Sequence, residues 1–341
     1  MVIGSEVRLG FDSYVGYQPE PTFGAGTATA TNFIEFNSES MKISQDEILI
    51  TGINTTRTYY KRTYGNKSVG GTIEYPLSPE DGIGLIKHTL GGTATVSTIG
   101  AGLAYNHTLT PGDNNSWPGS QASLRFSIRK GADHIMDYYG CRINSLTLKA
   151  AINQPIIASV EFVGKDTTAG VAVTPAYTAL IPFIFVDGSF LEGNTTTALT
   201  TTSGLQYVTG FELKITNNLV SDDNVRSLGS RTVMDLPPNN FRDVTLNITQ
   251  RFDTTTAITN WMTANERMVQ IRLDSGVTIG AAGTNYSMII NLPKVYYNGE
   301  QPVVGGPGVL TYTIPMRAIA SSATSTGYDI QIQVTNLTAN Y

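Results

Sequence analysis

At 341 residues the chain exceeds the usual single-domain size of about 100 to 200, so two domains are the starting expectation. Its net charge of -5 argues against a protein built to grip nucleic acid by phosphate neutralisation. The single cysteine, Cys141, excludes an intrachain disulfide and a thiolate metal cluster, and reads as a small buried hydrophobe.

Charged residues make up 14% of the chain, against roughly 25% in an average globular protein. Thr, Ser, Asn and Gly must keep the surface wet instead. Thr and Tyr favour strands, and Gly, Asn and Pro punctuate turns, so the composition points to an all-β protein. Low charge density also fits a surface buried against further copies of the chain. Met1-Val-Ile-Gly-Ser-Glu lacks a basic stretch followed by an apolar core, so no signal peptide and synthesis in a cytoplasm are expected. No run of about 18 apolar residues predicts a membrane span.

In chain order, a strand over Ser40 to Ser44 precedes a long polar segment, Gln45 to Lys67. A strand over Ser68 to Leu77 follows, then a short helix with Ser78 as N-cap, Pro79 at the first helical position and Glu80 and Asp81 in the first turn. Gly91 to Ser120, rich in Gly, Pro and Asn, reads as an excursion. Period-two alternation then predicts strands around Leu124, Phe126 and Ile128, around Leu146 and Leu148, and around Ala158, Val160 and Phe162. The second half repeats this order: a strand at Phe211 to Thr216, a polar segment at Asn217 to Arg242, a strand at Asp243 to Phe252, and a helix with Asp253 as N-cap. That helix carries an apolar stripe of Ala257, Ile258, Trp261 and Met262. Strands follow around Ile271, Ile290 and Tyr312.

The repetition has a nearly constant register. An offset of about 173 residues relates Ile43 to Ile215, Ile73 to Leu246 and Ser78 to Asp253, and drops to about 145 for Phe126 and Ile271, beyond the excursion. The expectation is a mainly β fold of two tandem, internally repeated β-sandwich or barrel domains, each with a short flanking helix and a long inter-subunit loop. The first β-domain spans 1–170 with an N-terminal arm, a linker region spans 171–204, and the second β-domain spans 205–341. Polar segments beyond about 15 residues are rare in compact domains unless functional, and extended hairpins or arms reaching a neighbouring subunit would explain both.

Enzyme signals fail. His88, His107 and His134 lack metal-ligand spacing, no Gly-x-Ser-x-Gly elbow occurs, and Gly305-Gly306-Pro307-Gly308 precedes a strand rather than a helix, so it reads as a turn. Asp222 and Asp223 are adjacent carboxylates in a polar loop and read as solvated. The expectation is no catalytic, cofactor-binding or metal residue and no cofactor. One cluster mixes basic and aromatic side chains: Arg57, Tyr59, Tyr60, Lys61, Arg62 and Tyr64. The combination suits nucleic-acid stacking, but on an acidic chain it fits an inter-subunit or inter-ring contact better.

Ser68-Val-Gly-Gly-Thr-Ile-Glu-Tyr-Pro-Leu, Tyr139-Gly-Cys-Arg-Ile-Asn-Ser-Leu-Thr-Leu, Pro182-Phe-Ile-Phe-Val-Asp-Gly-Ser and Leu292-Pro-Lys-Val-Tyr-Tyr-Asn-Gly-Glu-Gln-Pro-Val-Val-Gly-Gly-Pro, in this order and spacing, resemble the two-domain tail tube proteins of long-tailed bacteriophages over nearly the whole chain. The resemblance implies a structural, non-enzymatic protein of the virion tail. Three chains would close a pseudo-hexameric ring, and rings would stack into a hollow tube that double-stranded DNA traverses without sequence-specific binding. Tape-measure, terminator and baseplate or tail-tip proteins are the implied partners besides the chain itself. The competing readings are a phage capsid decoration or host-binding β-protein, and a secreted carbohydrate-active enzyme, which would need a signal peptide or paired carboxylates.

Overall fold

A computed structural model of the chain describes residues 9–26, 29–53, 55, 57–112, 123–194, 207–299, 301–322 and 327–341. Residues 1–8 of the expected N-terminal arm, 113–120 of the excursion and 195–204 of the expected linker lie outside the described residues. The first half runs through β1 (Tyr14–Glu20), β2 (Asn32–Ile34), β3 (Ser38–Glu39), β4 (Lys42–Leu49), β5 (Arg62–Pro76), α1 (Ile83–Leu90), β6 (Gly91–Ile99), β7 (Ala104–Pro111), β8 (Ser123–Lys130), β9 (His134–Ala151), β10 (Ile157–Gly164) and β11 (Asp166–Ala169). There follow β12 (Gly188–Asn194), β13 (Val208–Thr216), β14 (Asp243–Arg251), α2 (Thr256–Met262), β15 (Arg267–Thr278), β16 (Asn285–Tyr297), β17 (Thr311–Ala318) and β18 (Gln331–Asn336). The fold is mainly β, as expected, and its strands pair antiparallel.

The strands form where apolar and polar residues alternate, because successive side chains of a strand point to opposite faces. In β14, Val244, Leu246 and Ile248 are buried while the residues between them are partly exposed, and in β10 Ala158, Val160 and Phe162 do the same. These strands lie in one central ladder of order β4, β5, β10, β9, β13, β14, β17. A second ladder, β2, β1, β8, β9, β11, covers one end of the first, and a third, β12, β15, β16, β18, β7, β6, covers the other.

The long strand β9 belongs to two ladders because it bends at Gly140, whose φ is +64°. A Cβ there would lie 2.7 Å from the Cβ of Lys165 and 3.3 Å from the Cα of Gly24, so glycine is required for the bend and for the close approach. Buried side chains of the covering ladders meet those of the central one. Phe126 on β8 stacks edge-on at 4.4 Å from Phe162 on β10, and Ile271, Met288 and Ile332 belong to the same core as Leu213, Leu246 and Ile314. Each such side chain, fully removed from water, contributes about 1.5–3 kcal/mol.

The last strand closes the first half. The hairpin β6–β7 lies where the excursion is expected, but β7 pairs with β18, with Leu109 opposite Ile332. The C-terminus then packs over α1: Asn336 Nδ2 donates to Pro79 O at 3.0 Å, Lys87 Nζ donates to the Tyr341 backbone oxygen, and the His107 ring stacks edge-on against Tyr341 at 4.8 Å. Desolvation pushes His88, buried in α1, down to about 3, and lowers His107 as well.

Both helices start later than their sequence signals. Ser78 Oγ accepts from the Glu80 and Asp81 amides, but that turn is separated from α1 by Gly82 at φ +80°, whose carbonyl accepts from Tyr75 Oη. The N-cap of α2 is Thr255 rather than Asp253, and Trp261 and Met262 of its apolar stripe are exposed, Met262 by 70%. Among the described residues, α1 is buried along almost its whole length and α2 is not.

Candidate assembly surfaces

The first polar segment, Gln45 to Lys67, is a β-hairpin arm that leaves the central ladder. Its β4 and β5 strands stay in register to Leu49 opposite Arg62, with a bulge between Gln45 and Glu47, and the Ile50 amide adds one more bond to Lys61 O at 3.0 Å. Beyond Ile43, both faces of β4 are exposed. An exposed hairpin is marginal alone, so its local cross-strand contacts matter. Arg62 reaches Glu47 at 3.2 Å and stacks over Tyr64, and Lys61 Nζ lies 5.0 Å above the Tyr60 ring. The Glu47 hydrogen bond raises the Arg62 guanidinium above its ordinary value.

The six residues singled out by sequence all stand on this arm: Arg57, Tyr59, Tyr60 and Lys61 at the tip, Arg62 and Tyr64 on β5. Four of them form two local cation–π pairs, Lys61 with Tyr60 and Arg62 with Tyr64, rather than one convergent pocket. What sequence reading missed is the apolar character of the same arm. Ile48, Leu49, Ile50 and Ile53 are all exposed, as are Tyr59 and Tyr60. Exposed apolar side chains gathered on one arm make it a candidate contact surface. The run Ile48-Leu-Ile50 was the available signal, hidden because the surrounding residues are polar.

The second polar segment, Asn217 to Arg242, is not an arm. It folds back across the base of the first one. Arg226 Nη2 donates to Lys67 O at 3.0 Å, the Lys67 amide donates to Arg231 O at 2.8 Å, and Asn66 Nδ2 donates to Asp223 at 3.2 Å. Arg142, itself buried, holds Leu236 O and Asp235 at 2.8 and 2.9 Å. Val233 and Leu236 are buried in this contact, while Leu228 at the tip is fully exposed. Asn217 fixes the start of the segment by donating to Thr89 O and Ile143 O.

The outward face of the central ladder is a third surface. Thr147, Ser159, Thr245, Thr249 and Thr313 lie between its charges, which mix both signs: Arg317 pairs with Asp243 at 2.8 Å and Lys149 with Glu212 at 3.9 Å, Glu161 accepts from Ser145, and Lys42 and Lys214 stand exposed. Such a face is polar without a strong field of either sign.

Among the described residues no cluster of three or more His, Cys, Asp and Glu side chains could hold a metal ion, and no helix is long and apolar enough to cross a membrane. The profile of a family described as phage tail tube protein matches residues 10–318. No curated protein matches the chain.

Proposed function

The chain belongs to the phage tail tube protein family, a family of structural proteins of the virion tail, and from that premise we propose that three copies close into a pseudo-hexameric ring and that rings stack into the hollow tube. The observation that carries this reading is the order of strand pairing. In the first half β5 lies between β3–β4 and β10, β9 follows β10, and β1 and β11 flank β8 and β9. In the second half β14 lies between β13 and β17, β16 follows β17, and β12 and β18 flank β15 and β16. Two like units in one chain supply two of six ring positions, and head-to-tail contacts between rings propagate a filament.

On this reading the chain comprises one unit over 1–170, a linker over 171–204 and a second unit over 205–341. The outward face of the central ladder lines the lumen. Its hydroxyl-rich surface, with acidic and basic side chains interspersed, offers passing double-stranded DNA no continuous basic track to hold phosphates, so the DNA stays mobile. The arm, through Arg57, Tyr59, Tyr60, Lys61, Arg62 and Tyr64, reaches the ring above or below. Tape-measure, terminator and tail-tip proteins meet the tube inside and at its ends.

Negative-stain electron microscopy of the purified chain, with mass analysis, tests the proposal. Hollow tubes of constant diameter with threefold layers are expected. A discrete monomer or closed oligomer under all conditions would overturn it in favour of a capsid decoration or host-binding protein.

A further inference from the structure

We infer that neighbouring copies join by repeating the joint that β9 and β13 make inside one chain, with the tail of β16 from one copy laid antiparallel along β3–β4 of the next. The inference rests on the two-unit reading above and fixes the residues that meet. Inside the chain, Ser145–Ala151 of β9 pairs with Gly210–Thr216 of β13, and Leu146 stands opposite Ile215. The ladders give the corresponding positions. Ile73 pairs with Glu39 on one side and Val160 on the other, and Leu246 pairs with Leu213 and Met316 in the same way. Across from Val160 stands Leu146, and across from Met316 stands Tyr297. Tyr297 therefore takes the place of Leu146, and Met41, two residues beyond Glu39, takes the place of Ile215. The next pair outward is Asn298 opposite Ser40.

Both edges are open for this pairing. Among the described residues β3 and β4 pair with β5 alone, and β15 begins at Arg267 opposite Val295, which leaves that side of β16 without a strand from Tyr296 onward. The Asn298 amide bonds Pro315 O at 2.7 Å and the Ser40 amide bonds Thr72 O at 2.9 Å, so each turns its backbone groups away from the proposed joint. Ser40 and Asn298 are thus a non-hydrogen-bonded pair, the kind that brings side chains closest. Beyond Asn298 the exposed Val303 and Val304 reach a groove on the next copy lined by Leu9, Phe11, Phe36 and Asn37.

In the free chain the receiving edge is guarded. The Met41 amide donates to Glu39 at 3.0 Å, and the Met41 carbonyl accepts from Lys130 Nζ at 2.8 Å and Tyr138 Oη at 3.1 Å. These side chains stand in for a strand and blunt an edge that would otherwise recruit one prematurely. An incoming β16 tail exchanges them for backbone bonds.

The test is a full-length chain carrying Ser40→Cys and Asn298→Cys. Directly opposed non-hydrogen-bonded residues lie about 4.5 Å apart, within disulfide range, and Cys141 is fully buried and does not compete. Mild oxidation of assembled material is expected to convert it to a covalent three-chain species on a non-reducing gel, reversed by reductant. The two single variants mixed should give only a two-chain species, and Ser38→Cys with Asn298→Cys, two residues out of register on the same face, should give little. If the double variant assembles poorly, co-assembling the two single variants with unmodified chain still reports the joint, through the two-chain species. Tubes without the cross-link, or a stronger cross-link from the shifted pair, overturn the joint and leave the tube reading standing. Monomers alone from the unmodified chain overturn both.

Discussion

Replacing residues 50–61 with Asn-Gly, so that Leu49 and Arg62 are joined by a two-residue turn, separates folding from assembly. Ile53 is wholly exposed, Tyr59 is 66% exposed and Tyr60 57%, so their removal takes no buried contact from the folded chain. Shortening the connection from about 12 residues to two lowers its closure entropy by about 1.6 kcal/mol, so stability stays level or rises slightly. If Ile53, Tyr59 and Tyr60 are buried against a neighbouring ring, each contributes at least about 1.5 kcal/mol there. Losing all three then raises the protein concentration needed for tubes on the order of a thousandfold. Thermal unfolding followed by circular dichroism should show an unchanged or higher midpoint, while sedimentation and electron microscopy should show no tubes at concentrations where the parent assembles. Tubes of normal length at the parent concentration would refute the role given to the arm.

Phe126→Ala empties a fully buried site against Phe162 and Tyr17 and should cost about 3–5 kcal/mol in urea unfolding, without selective loss of assembly in the fraction that folds. Arg142→Ala removes the anchors on Leu236 and Asp235, costs about 2 kcal/mol, and should expose the segment around Leu228 to limited proteolysis several-fold faster. His88 is held neutral by burial, with its folded value lowered to about 3 from 6.5, so protonation favours the unfolded chain. Its stabilising contribution is complete above about pH 6.5 and declines as pH falls from there toward 3, by up to about 1.4 kcal/mol per pH unit; His88→Gln should flatten the pH dependence of the urea midpoint. Burial also raises the Cys141 thiol, which should stay unreactive toward a thiol reagent until the chain unfolds.

Alternation made the strands legible wherever one face is buried and the other polar, as at Leu213 and Ile215, Val244 to Ile248, or Ala158 to Phe162. The helix starts were misplaced because Ser78 and Asp253 are good caps by residue type, whereas left-handed Gly82, clamped by Tyr75, decides where α1 begins. Two polar segments of similar composition took different courses. The arm carries Ile48, Leu49 and Ile50 in a register that pairs its own strands, while Asn217 to Arg242 is tied down by bonds to Asn66, Lys67 and Arg142, far away in sequence. Composition does not encode such partners. The candidate residues at the arm tip are visible as a basic-aromatic cluster, but the face of the central ladder and the open edge of β16 exist only once strands are paired.

The pairing of β7 with β18, and the seating of Tyr341 over α1, impose an order on synthesis. A ribosome delivers Leu109 more than two hundred residues before Ile332, its partner, so the hairpin of the first half waits without that neighbour until β18 has been made. A chain interrupted before β18 lacks both the partner of β7 and the contact that Tyr341 makes with Lys87 of α1, so its first half should be less stable than in the chain described here.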